Sequence, residues 1–274
     1  MSPHEVDWTR VAEPQHDGYD TRVAQALAGR ELGWRAPPPP APPHAFGGRV
    51  ALRAWRADAA LNPALAPGSP DSPNLGHAEE CLRRAWPLAH RQFAALVAEL
   101  APMDLREPES TTRIGSYSGH AETQPFAVYA TCFDAFGTAE SLVHEMAHVK
   151  LRLLGMQVES STRLILNPPS QLYRSPLRPY PRPMTALLHA FYSWLHIVEL
   201  GARWAEVDAE RALMRMARNC DWIEAMALEI QAHVRTDEAG RRFLLPMFAW
   251  AGRLLRRGRG RLRSAGAEAT AGAA

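Results

Sequence analysis

The sequence predicts a mainly α fold with a small antiparallel β element (α+β), built as a single domain around one buried helix. Three observations carry this. Apolar residues recur at helical spacing through most of the chain. Clusters of β-formers occur between Arg113 and Asp134, in "RIGSYSG" and "PFAVYATCF". Directly after them, "ESLVHEMAHVKLRLLG" (Glu140 to Gly155) is apolar on nearly all sides, the pattern of a helix sunk in a core.

Taken in order, residues 1–35 form an N-terminal helical segment, with a helix expected from about Asp20 to Leu32. The proline run "APPPPAPPH" marks residues 36–47 as a stiff, extended spacer, because proline lacks the amide a helix needs. The main domain spans 48–257. Within it "RVALRAWRADAALN" has helical spacing, and "PALAPGSPDSPN" has loop composition. Leu75 to Leu100 is helical, with Pro87 kinking or splitting it. Two short strands follow, and Thr138 offers an N-cap for the next helix. Asn167 to Met184 holds six prolines and three arginines and is expected to be an extended loop. Helix resumes near Thr185, runs past Glu210, and is followed by two more helices to about Arg257. The basic, Ala/Gly-rich segment 258–274 has the composition of a disordered tail.

The formal net charge is +2, and Lys150 is the only lysine. Abundant Ala, Pro and Arg fit the coding bias of a GC-rich bacterium, so the arginines are weak grounds for nucleic-acid binding. The first residues, "MSPHEVDWTR", lack the apolar core of a signal peptide, and no apolar run is long enough to span a bilayer. Cys81, Cys132 and Cys220 are far apart and lack CxxC spacing, which suits free thiols in a reducing cytoplasm. A cytoplasmic protein with no membrane or nucleic-acid partner is expected.

The chemistry is carried by "VHEMAH". His144 and His148 are four residues apart, so on a helix they share one face, with Glu145 between them. Burying two imidazoles and a carboxylate without partners costs roughly 1–3 kcal/mol for each group, and a divalent ion removes that cost. Leu151 and Leu154 stand where the extended metzincin motif requires glycine and histidine, which excludes that class. A third ligand is therefore sought downstream, in "MTALLHAFYSWLHIVEL". There His189, Tyr192, His196 and Glu199 form one stripe. His189 and His196 are separated by about 10 Å along a helix axis and cannot hold the same ion. His189 is the first choice and Glu199 the second; His196 suits a satisfied core side chain or a ligand equally.

The loop "YRSPLRPYPRP" presents Arg174, Arg178 and Arg182 on a backbone stiffened by prolines. A guanidinium pairs two-pronged with a carboxylate, which suits a small acidic cosubstrate near the ion.

The blocks "LVHEMAHVKLRLLG" and "YRSPLRPYPRPMTALLHAFY" resemble the HExxH-motif peptide-modification proteins found beside ribosomally made peptide precursors in bacteria. Members are described as 2-oxoglutarate-dependent HExxH-type peptide β-hydroxylases. The resemblance covers roughly Arg113 to Glu206. Its more specific part is the ordered set Ser175, Pro176, Arg178, Arg182, Pro183 and His189. It implies that His144, His148 and His189 hold Fe(II), with Arg178, Arg182 and Ser175 at 2-oxoglutarate. It further implies that O₂ is the oxidant and a precursor peptide the substrate. Glu145 would then orient a histidine or a water. The alternative is a zinc metallopeptidase in which His144, His148 and Glu199 hold the ion and Glu145 is the general base. A third, non-enzymatic reading is a peptide-binding subunit.

Overall fold

The computed structural model describes residues 3–31, 43–54, 65–105, 118–121, 124–158, 163–206 and 208–271. The protein is mainly helical, with a small mixed sheet and a two-stranded hairpin. The chain divides into two compact units, Glu31–Lys150 and a second made of Met1–Arg30 with Leu151–Ala274.

The first unit is built on strands β1 (His44–Ala45), β2 (Val50–Leu52), β3 (Leu65–Pro67), β4 (Glu99–Leu105), β5 (Ser118–Ala121) and β6 (Gln124–Thr131). They lie in the order β1-β2-β4-β6-β5, with β3 paired on β4. β2, β4 and β6 run parallel, whereas β1, β3 and β5 are antiparallel to their neighbours. The sheet is thus mixed, and the purely antiparallel element expected from sequence is corrected. Helices α2 (Pro73–Ala85) and α3 (Pro87–Leu96) lie between β2 and β4 in the chain, supplying the long crossover that a parallel pair requires. Four strands evaded the sequence patterns: β1 lies in the stretch read as a proline spacer and β3 in one read as loop. Val50–Leu52 falls inside a stretch whose apolar spacing suggested helix, and β4 contains Pro102, a residue with no amide to donate to a ladder. Pro87 splits the helical stretch as expected, occupying the first turn of α3. The "RIGSY" segment, residues 55–64 and most of the proline spacer lie outside the described residues.

Helix α4 (Ala135–Leu153) follows β6 directly. Its start is four residues earlier than a Thr138 cap suggested, and the cap is Asp134, whose Oδ2 accepts from the Gly137 amide at 2.9 Å. Thr138 instead sits in the first turn, where its hydroxyl lies 2.7 Å from the Asp134 carbonyl and 3.0 Å from that of Thr131. That contact ties the end of β6 to the beginning of α4. Leu142, Val143, Met146, Ala147 and Val149 are fully buried, in keeping with a helix apolar on nearly all sides. Beyond Leu153 the helix ends at Gly155, whose φ of 85° places it in the left-handed region. The Met156 amide bonds back to Leu151 O and that of Gly155 to Arg152 O, which satisfies the last carbonyls.

The second unit holds α1 (Tyr19–Glu31), the hairpin β7 (Leu172–Tyr173) and β8 (Arg182–Pro183), and helices α5 (Met184–Trp204), α6 (Ala209–Met214), α7 (Met216–His233) and α8 (Glu238–Ala271). The proline-rich loop is therefore a hairpin rather than open chain. Asn167 pins it, donating to Tyr173 OH at 2.6 Å and to His233 O at 2.9 Å, while accepting from the Arg235 amide at 2.7 Å. The N-terminal segment belongs to this unit. Trp8 is 2% exposed and meets Phe243 edge-on, and Tyr192 OH donates to Ala12 O at 2.7 Å.

Helix α8 runs to Ala271, through the segment 258–271 whose composition suggested disorder. Its arginines are met by acids distant in sequence. Arg253 pairs with Glu13, Arg259 with Glu224 at 2.6 Å, and Arg261 with Glu206 at 2.8 Å. No helix among the described residues is long and apolar enough to cross a membrane.

Candidate metal centre

The helical spacing of "HEMAH" does what it promises locally. His144 and His148 lie on one face of α4, their ring centroids 4.7 Å apart and their Nε2 atoms 3.1 Å apart. Two nitrogens each about 2.1 Å from one ion stand about 3.0 Å apart at a right angle and about 3.4 Å apart at the tetrahedral angle. The observed 3.1 Å lies between these values, so the pair fits as two neighbouring ligands of one ion. Glu145 is 2% exposed, and its Oε1 stands 3.8 Å from His144 Nε2. The carboxylate thus borders the imidazole pair within the same unit. No group of three His, Cys, Asp or Glu side chains among the described residues has the geometry of a metal site.

His189 lies in the other unit, on α5, and is 1% exposed. Its Nε2 is 2.8 Å from Met156 O. A carbonyl only accepts, so Nε2 carries the proton and, in the neutral ring, Nδ1 holds the lone pair. An N–H donated to a backbone carbonyl is the arrangement that orients a metal-binding imidazole. His196 has the opposite tautomer, with Nδ1 donating to Tyr192 O at 2.9 Å, and its ring packs edge-on against Tyr192 and Trp250.

Glu199 is committed elsewhere. Its Oε1 accepts from Arg203 Nε at 2.6 Å and its Oε2 from Trp250 Nε1 at 3.1 Å, with Arg257 at 3.5 Å. Both oxygens serve an anchor between α5 and α8, which removes the main support for Glu199 as an ion ligand.

In the hairpin, Arg178 is exposed, Arg182 is half-buried on β8 opposite Tyr173, and the Ser175 hydroxyl accepts from the Leu177 amide at 3.3 Å. Arg174 is fixed through its backbone, its amide donating to Glu229 at 3.0 Å. The hairpin thus fixes the backbone at Arg174 and pairs Arg182 with Tyr173 across its two strands.

One residue that feels the Glu145 charge escaped sequence reasoning. Tyr129, on β6, is half-buried, and burial followed by the nearby Glu145 charge holds its phenol above the ordinary value. Nothing in the local pattern "FAVYATC" distinguishes it from a core aromatic.

A scan against protein-family models finds no match, and a search of curated proteins finds none either.

Proposed function

We propose that the protein is an Fe(II)/2-oxoglutarate-dependent oxygenase that hydroxylates the β-carbon of a residue in a ribosomally made precursor peptide. The observation that carries the metal part of this reading is the 3.1 Å separation of the two Nε2 atoms on α4. Imidazole suits Fe(II), and an ion with few protein ligands retains open positions for a cosubstrate and O₂. When bound, iron and 2-oxoglutarate together supply oxidative decarboxylation to succinate and CO₂, with the second oxygen atom of O₂ entering a C–H bond.

The chain's own residues have separable parts in this proposal. His144 and His148 hold the ion. Glu145, buried beside His144, orients that ring or a water. The resemblance assigns His189 as the third ligand. The resemblance assigns Arg178, Arg182 and Ser175 to the dicarboxylate, which a guanidinium binds two-pronged.

The zinc peptidase reading is the weaker one, because Glu199 is already held by Arg203 and Trp250. Anaerobic titration of the protein with Fe(II) and 2-oxoglutarate tests the proposal. A visible charge-transfer band saturating at one equivalent is expected. Absence of the band, or full activity on peptide with zinc alone, would overturn it.

A further inference from the structure

We propose that the β7–β8 hairpin and the end of α7 form a docking surface for an acidic peptide segment that carries apolar side chains. The surface lies within the second unit and uses none of the residues assigned to the ion or to the dicarboxylate.

The charge begins in the sequence. No Asp or Glu occurs between Glu159 and Glu199, a stretch that includes Arg163, Arg174, Arg178 and Arg182. Cations there have no local acid to pair with, and the fold does not supply one to every guanidinium. Arg174 and Arg235 are exposed, and neither side chain forms an ion pair with any described residue. The acids close to them in the fold or in the chain are engaged. Glu229 accepts from the Arg174 amide at 3.0 Å, Asp237 from the Gly240 amide at 2.6 Å, and Glu238 pairs with Arg241 at 2.8 Å. Arg259 and Arg261 on α8 show the opposite pattern, each held by a glutamate.

The apolar part lies on the same segments. Leu166, Leu172 and Leu228 are 53%, 52% and 64% exposed. Leu172 and Arg174 flank buried Tyr173, and strand alternation turns both to the outer side. Leu228 immediately precedes Glu229, and the Leu166 amide donates to Arg235 O at 2.7 Å. Asn167 ties these segments together through Tyr173 OH and His233 O. The leucines and the two arginines thus sit on a backbone fixed before any partner arrives, which lowers the ordering cost of binding. Exposed leucines favour a ligand with apolar side chains over a nucleic acid, and the arginines favour carboxylates.

A displayed library of random peptides, selected on the full chain, tests this. Enriched peptides are expected to combine Asp or Glu with large apolar residues. One of them, synthesised with a fluorescent label, should bind more weakly as salt is raised. Arg174→Gln combined with Arg235→Gln should lower its affinity roughly three- to thirtyfold. Leu172→Ser combined with Leu228→Ser should lower it about tenfold. Both double variants are expected to keep the parent Tm, because the side chains removed are exposed. Enrichment of basic or uncharged peptides, no enrichment at all, or an affinity that either pair of substitutions leaves unchanged would overturn the inference. So would self-association of the chain that the leucine pair abolishes, since the surface would then bury a second copy. Binding to phosphatidylserine vesicles without enrichment of acidic peptides would reassign the surface to a lipid face. The Fe(II) and 2-oxoglutarate titration needs no peptide, so its outcome and this one are read separately.

Discussion

The Nε2 atoms of His144 and His148 face each other at 3.1 Å across one turn of α4, a separation suited to two ligands of one ion. Replacing either histidine by alanine should therefore lower metal affinity by at least about 100-fold, more than loss of an outer hydrogen bond does. Metal analysis after dialysis checks this. Undiminished uptake in both single variants would show that the pair is not the site.

Glu145→Gln separates the two enzyme readings. An orienting glutamate replaced by its amide leaves an oxygenase partly active, with succinate still formed from 2-oxoglutarate. A general base replaced in the same way leaves a peptidase nearly inert. Succinate release by parent and variant, measured side by side, gives the answer.

Glu199→Gln should cost stability and leave the metal untouched. The substitution weakens a carboxylate that serves Arg203, Arg257 and Trp250 while its side chain is 9% exposed. Loss of about 2–4 kcal/mol is expected, seen as a lower Tm or denaturation midpoint. Unchanged stability with lost metal would instead restore Glu199 as a ligand.

Trp8→Ala should destabilise by about 3–5 kcal/mol, because a buried indole is removed and a cavity remains. The residue is 2% exposed and packs on Phe243, although 235 residues of chain separate them in sequence. A chemical denaturation curve is the measurement. A negligible change would mean that the N-terminal segment is only loosely attached to α8.

The buried thiols set an alkaline limit. Burial pushes Cys132 and Cys220 up to about 11 from an ordinary 9.0. The folded state therefore keeps its thiols neutral where the unfolded chain ionises them. Their stability contribution is full below pH 9.0 and is lost as pH rises through about 11. The pH dependence of stability over this window should flatten when both cysteines are replaced by alanine. At neutral pH a disulfide reagent should modify half-buried Cys81 before the other two.

What the sequence determined by itself was local. Side chains four residues apart on a helix must share a face, so the approach of His144 to His148 was legible in "VHEMAH". Proline has no amide, so the break at Pro87 was equally legible. The buried character of α4 followed from apolar residues all round it. Only the tertiary structure decided the rest, because it depended on partners far away in the chain. Parallel pairing of β2, β4 and β6 is set by strands that meet across intervening helices, and no local period records it. The arginine-rich end continues as helix, where Arg259 and Arg261 meet Glu224 and Glu206, residues far away in the chain. Glu199 shows the same limit: its partners Arg203 and Trp250 meet it only in the folded chain.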